Sequence, residues 1–304
     1  MQAFENPRFI FLFLDGVGLG PAEHYNPLYP ANGHEPLPFL ADMLGGALLS
    51  NLEVNRSELL LKAVDATLGV PGRPQSATGQ ATLYTGQNAP AFLGRHLTGF
   101  ANGSLRTLIE ETGLFKQVKA LGKAPTSANL YTPGYFEAIQ QRKLRYSVGA
   151  LLNLTADVPF RMPQDYFNGE ALFWDITNRY TRGRDAHLPL ITPQEAGERL
   201  AHLGNSYDVT LFECYLPDFA GHKQDMEEAR SVLMDVDGLI QGVVENMASD
   251  VTLIICSDHG NIENLSTRLH TLNPVPLLVV GSMAFHFEGV TDLMGITPVI
   301  VSLL

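Results

Sequence analysis

Apolar and polar positions along this chain fall into two alternating kinds of segment. The first kind is the short, nearly unbroken apolar run: Phe9 to Leu14, Val209 to Phe212, and Val251 to Cys256. A run without a polar face reads as a strand covered on both sides, as in a parallel sheet. In the second kind, apolar residues recur every three or four places. Met226, Ala229, Leu233, Val236, Ile240, Val243 and Met247 form one such stripe. It opens on Asp225-Met226-Glu227-Glu228, whose acids suit the unpaired amides of a helix start. Thr192-Pro193-Gln194-Glu195 predicts a second helix opened the same way, and Thr297-Pro298 a last one. Strands alternating with helices predict an α/β sheet, and no repeat or low-complexity tract disturbs the alternation.

Each of the three apolar runs is followed within a few residues by an aspartate: Asp15, Asp218 and Asp258. Sites in such sheets lie beyond the carboxyl ends of the strands, so the three acids are expected to converge on one edge. From Tyr131 to Leu190 the alternation gives way to "YTPGYF", "VPFRMPQDYFNG" and "YTRGRDAHLPL". We read residues 131–190 as a small inserted cap or substrate lobe, and residues 1–130 and 191–304 as the catalytic core.

Composition narrows the picture. With 304 residues and 45% hydrophobic content, the chain can bury a large core. A formal charge of −12, from 20 basic and 32 acidic residues, gives no footprint for nucleic acid or for an anionic membrane surface. The run ending at Leu14 breaks at Asp15, too soon for a signal peptide or a membrane span, so a cytoplasmic protein is expected. Cys214 and Cys256 each close an apolar run and read as small buried hydrophobes rather than a disulfide.

The candidate chemistry lies at the strand ends. "CSDHGN" places Asp258 beside His259, "YLPDFAGH" puts Asp218 and His222 four residues apart, and "RLHTLNPVP" carries His270. Singly these have ordinary readings: a turn, a solvated pair, a structural histidine. Together with Asp15 they supply enough carboxylate and imidazole for two ions of the zinc or manganese kind. "GRPQSATGQATLYTG" offers a nucleophile in Ser76, placed where a helix N-terminus would favour an anion, with Thr78 as the local competitor. An isolated serine there is also an ordinary N-cap. "DGVGLG" lacks the dinucleotide spacing and reads as a turn beside Asp15, so no NAD or FAD is expected.

With "FLDGVGLG", "SATGQATLYTG", "PDFAGH", "SDHGN" and "HTLNPVP" in this order, the chain resembles the alkaline phosphatase superfamily, on the side of cofactor-independent phosphoglycerate mutase and phosphopentomutase. The resemblance implies a mostly parallel sheet flanked by helices. It also implies two divalent metal ions, Mn2+ or Zn2+: Asp15, Ser76, Asp258 and His259 would hold one, Asp218, His222 and His270 the other, with Ser76 as nucleophile. Two features depart from the mutases. Residues 93–125 return directly to helix and strand and leave no room for the large domain that the mutases insert there, and Gln80 stands where they have histidine. The cap instead carries Arg142, Arg145, Arg161, Arg179, Arg182 and Arg184. Arg182 and Arg184, in "TRGRD", are the leading candidates to hold a second anionic group of the substrate.

The expected activity is therefore that of a two-metal phosphohydrolase acting on a small phosphorylated metabolite through a phosphoserine at Ser76. A phosphomutase, a phosphodiesterase or phosphonate hydrolase, and a non-enzymatic metal-binding relative are the alternatives.

Overall fold

The computed structural model describes residues 6–30, 34–181 and 188–304. Among the described residues seven strands form one sheet: β1 (Arg8–Leu14), β2 (Val54–Arg56), β3 (Leu59–Val64), β4 (Pro125–Ser127), β5 (Val209–Cys214), β6 (Val251–Cys256) and β7 (Val275–Val280). Their order is β2-β3-β7-β6-β1-β5-β4. The three runs read as parallel strands are β1, β5 and β6, and they pair parallel, with β1 in the middle. The sheet as a whole is mixed: β4 joins β5 parallel, while β7, β3 and β2 add on antiparallel. The direction of β7 comes from its connection, because the chain stays at one edge after Cys256 and re-enters the sheet from that edge at Val275.

Alternation along β1 builds both faces. Phe9, Phe11 and Phe13 point into one apolar layer, and Ile10, Leu12 and Leu14 into the other. All six are at most 5% exposed, and burying each contributes about 1.5–3 kcal/mol. Helices Pro193–Gly204 and Met226–Asn246 cover the Ile10 face; their mutual packing is the most extensive between any two elements. The longer helix buries Ala229, Leu233, Val236, Ile240 and Val243, the stripe expected of it, and Asp225 caps its start. Helices Ser76–Thr85, Gly103–Thr112, Leu114–Ala120 and Ile296–Leu303 cover the Phe9 face.

Within 131–190, helix Val148–Thr155 lies in that same second layer, with Val148, Leu151 and Leu152 buried among its side chains. Leu130, Tyr166, Ala171, Phe173 and Leu188 form a separate small cluster. Cys214 and Cys256 are buried free thiols. No helix among the described residues is long and apolar enough to cross a membrane.

Candidate metal centre

The parallel register sets Leu14 beside Cys214 and Phe13 beside Cys256, so β1, β5 and β6 all release their chain at one edge of the sheet. Asp15 leaves β1 directly and donates its amide to the Cys214 carbonyl at 2.9 Å. Gly16 then turns the chain at φ 71°, and a Cβ there would stand 2.8 Å from Asp218 Cβ. Asp218 and His222 lie one turn apart on helix Leu216–Lys223, which β5 feeds. Asp258 and His259 are joined to β6 through Ser257, whose Oγ accepts from Val17 N at 2.9 Å and donates to the His259 carbonyl at 3.0 Å. Ser76 opens helix Ser76–Thr85, pressed so close to Asp258 that a Cβ on Gly79 would meet its Cβ at 2.7 Å. His270 comes from the loop leading to β7.

All seven residues implied as ligands thus meet at the sheet edge, as two groups. Asp218, His222 and His270 present ligand atoms within 4.8 Å of one another, and so do Asp15, Asp258 and His259. His259 Nε2 is 3.1 Å from Ser76 Oγ, 3.4 Å from Asp15 Oδ1 and 3.5 Å from Asp258 Oδ2. The rings of His259 and His270 stack at 3.6 Å, which joins the two groups. Thr78, the rival nucleophile, is fully buried and engaged: its hydroxyl donates to the Gln75 carbonyl and accepts from Leu97 N.

The donor set fits divalent metal. His222 and His270 each donate Nδ1–H to a main-chain carbonyl, of Arg268 at 2.9 Å and Pro74 at 3.0 Å. Both Nε2 atoms therefore face Asp218, at 3.3 and 3.7 Å, the anchoring of metal-binding imidazoles. Asp15 Oδ1 and His259 Nδ1 are buried with no hydrogen-bond partner. Among the described residues, the only ion-pair partners of Asp15, Asp218 and Asp258 are these histidines. Burial, then the like charges of Asp258 and Asp218, raise Asp15 well above the usual carboxylate range, and burial followed by Asp218 raises Asp258. Burial also opposes charge on Asp218, but the His222 and Asn261 hydrogen bonds outweigh it and hold Asp218 at about 2. Burial and the adjacent His270 push His259 down to about 3, so its ring stays neutral. Crowded acids and imidazoles, with no lysine or arginine paired to them among the described residues, are a site whose charge a cation balances.

Two supporting residues carried no signal in the sequence. Glu263, fully buried, accepts from Gly18 N at 3.0 Å, Asn261 N at 2.8 Å, Asn273 Nδ2 at 3.0 Å and Thr271 Oγ1, and so ties the loop after β1 to both ends of the β6–β7 connection. Asn261 donates to Asp218 Oδ1 at 2.6 Å and fixes that carboxylate.

The centre opens into a cavity of about 790 Å³, with Asp15, Ser76 and Asp218 in its wall. Of the cap arginines, Arg182 and Arg184 lie outside the described residues. Arg161 is buried on the Ser127 carbonyl and Thr126, Arg179 pairs with Asp235 at 2.7 Å, and Arg142 and Arg145 are exposed. None of these four lines the cavity.

Comparison with known proteins bears on the same edge. A family model described as "Metalloenzyme superfamily" matches residues 188–304. The 2,3-bisphosphoglycerate-independent phosphoglycerate mutase of Desulforudis audaxviator (strain MP104C) is 33% identical over 106 residues, 32% of this chain and only 21% of the mutase. The cold-active alkaline phosphatase from the psychrophile Shewanella sp. superposes with a TM-score of 0.57 at 15% identity, over 98% of this chain and 99% of its own. The phosphoglycerate mutase of Leishmania mexicana gives 0.51 at 11% identity, over 100% and 96%. At such identities the two structures establish a shared fold.

Proposed function

We propose that this chain is a metalloenzyme of the alkaline phosphatase superfamily and that it hydrolyses a phosphate monoester by way of a phosphoryl group carried on Ser76. One observation supports this above the rest: Ser76 Oγ stands at a helix N-terminus, 3.1 Å from His259 Nε2, in the wall of the cavity. Asp15, Asp258, His259 and Ser76 would hold one divalent ion, and Asp218, His222 and His270 a second, with zinc and manganese both suited to this mixture of donors. Bound there, such ions acidify a serine hydroxyl and offset the charge of a phosphoryl group in transfer.

Ser76 Oγ attacks phosphorus in line with the ester oxygen. The Oγ–P bond forms, the ester P–O bond breaks, and the alcohol departs with a proton. Water then attacks the phosphoserine, which frees inorganic phosphate and restores the hydroxyl. The first turn of helix Ser76–Thr85 points its dipole at the anion throughout.

The relatives matched in sequence include phosphoglycerate mutases, and this favours a second reading in which the phosphoryl group returns to another hydroxyl of the same substrate. Release of nitrophenolate from para-nitrophenyl phosphate, by metal-stripped protein reloaded with zinc or manganese, separates the cases. We expect metal-dependent release that falls more than about 10³-fold in Ser76→Ala. Wild-type turnover in that variant would end the serine reading. Isomerisation of a sugar phosphate or phosphoglycerate without free phosphate would put the mutase first.

A further inference from the structure

Beyond the metal centre, the cavity wall is built from rings. Tyr131, Tyr135, Phe173, Trp174, Tyr215 and Phe219 all line it, with Leu130 and Leu144 between them. Trp174 lies against both Phe219, at 5.5 Å between ring centres, and Tyr215, at 6.1 Å. Tyr131 and Tyr135 form a second pair at 5.1 Å. The Trp174–Phe219 pair adjoins the chemistry directly, since Phe219 is the next residue after Asp218. Phe219 is 51% exposed, and Phe100, also in the wall, is 39% exposed. Large apolar rings left in contact with water beside a reactive centre are a surface kept for a ligand.

Charge in the wall points the same way. Among the described residues the charged groups lining the cavity are Asp15 and Asp218, both of the metal centre, and no lysine or arginine joins them. Among the described residues of the wall, a second carboxylate or phosphate on the substrate would find no counter-charge to offset its lost hydration. An aromatic ring would instead find edge and face partners among the rings of the wall.

Resting on the phosphoryl-transfer reading above, we propose that the substrate is a phosphate ester of an aromatic alcohol, bound with its ring between Trp174–Phe219 and Tyr131–Tyr135. Burying one ring in such a wall is worth roughly 100-fold in affinity over an equally charged compound lacking it.

Trp174 is the only tryptophan of the chain, so its emission reports on the cavity without any turnover. The zinc-loaded full chain is titrated with benzylphosphonate and, separately, with phosphonoacetate, neither of which it can hydrolyse. We expect saturable changes in Trp174 emission, with benzylphosphonate bound at least about 30-fold more tightly. In Phe219→Ala, at a half-exposed position where truncation spares the core, that ratio should shrink about tenfold. Equal affinities, a preference for phosphonoacetate, or no response to either compound would overturn the proposal; a preference for phosphonoacetate would return the second-anion role to Arg182 and Arg184. The two readings fail separately. An intact benzylphosphonate preference without hydrolysis of any aryl phosphate defeats phosphoryl transfer alone, and Ser76-dependent hydrolysis without that preference defeats the ring pocket alone.

Discussion

Glu213 is a carboxylic acid inside a central strand, 1% exposed, with hydrogen bonds from Tyr84 Oη at 2.9 Å and Tyr215 Oη at 2.8 Å. Burial pushes it up from 4.5 to about 7, against the pull of those two bonds. Between these values the unfolded chain has released the proton and the folded chain still holds it. Stability due to Glu213 is therefore complete below 4.5, falls as pH rises through the window, and is level again above about 7. Glu213→Gln removes the titration. Urea midpoints should show the variant gaining on the wild type by about 3 kcal/mol from the lower to the upper end of that window. A gap that does not move with pH would show that Glu213 does not titrate there. Asp15, Asp218, Asp258 and His259 were legible in the sequence because a charge at the end of an apolar run is out of place. Glu213 and Glu263 carry no such mark in the sequence. Their meaning lies in partners such as Tyr84 and Gly18, far off along the chain.

Helix Met226–Asn246 was legible from end to end, because it is amphipathic and its cap is an aspartate. Asp225 accepts from Glu227 N and Glu228 N, both at 3.0 Å. Asp225→Ala should lower stability by about 1 kcal/mol, read from urea midpoints, with the zinc affinity of the site unchanged. A larger loss, or weaker zinc binding, would mean that the cap also positions His222, three residues before it. Helix Ser76–Thr85 was harder to read, since Ala77 through Thr85 are all buried and no stripe exists for a period to reveal. The pair β2 and β3 escaped notice for another reason. β3 is leucine-rich and finds its partner in β7, more than 200 residues on, so nothing local marks it as a strand.

The metal centre draws on β1, β5, β6, two helices and the loop before β7, so it exists only when the whole sheet does. Ions that bind the assembled site and not the loose chain should raise its stability. At a hundredfold excess over the dissociation constant, zinc adds about 2.7 kcal/mol per site, or about 4 °C in Tm for a chain of this size. Differential scanning calorimetry with zinc and with chelator tests this, and an unchanged Tm would refute a metal site built by the fold. The α/β layering was legible because each element carries its own period. The cavity was not, because its wall is gathered from residues near 100, 130, 174 and 215. The central place of β1 has one more consequence, for synthesis. Phe9 pairs with Val209 on one side and Thr252 on the other. At about 5–20 residues per second, roughly 10–40 s of translation separate β1 from its first neighbour. For that time an apolar ribbon with two bare edges trails from the ribosome, which makes the nascent chain a natural client of chaperones.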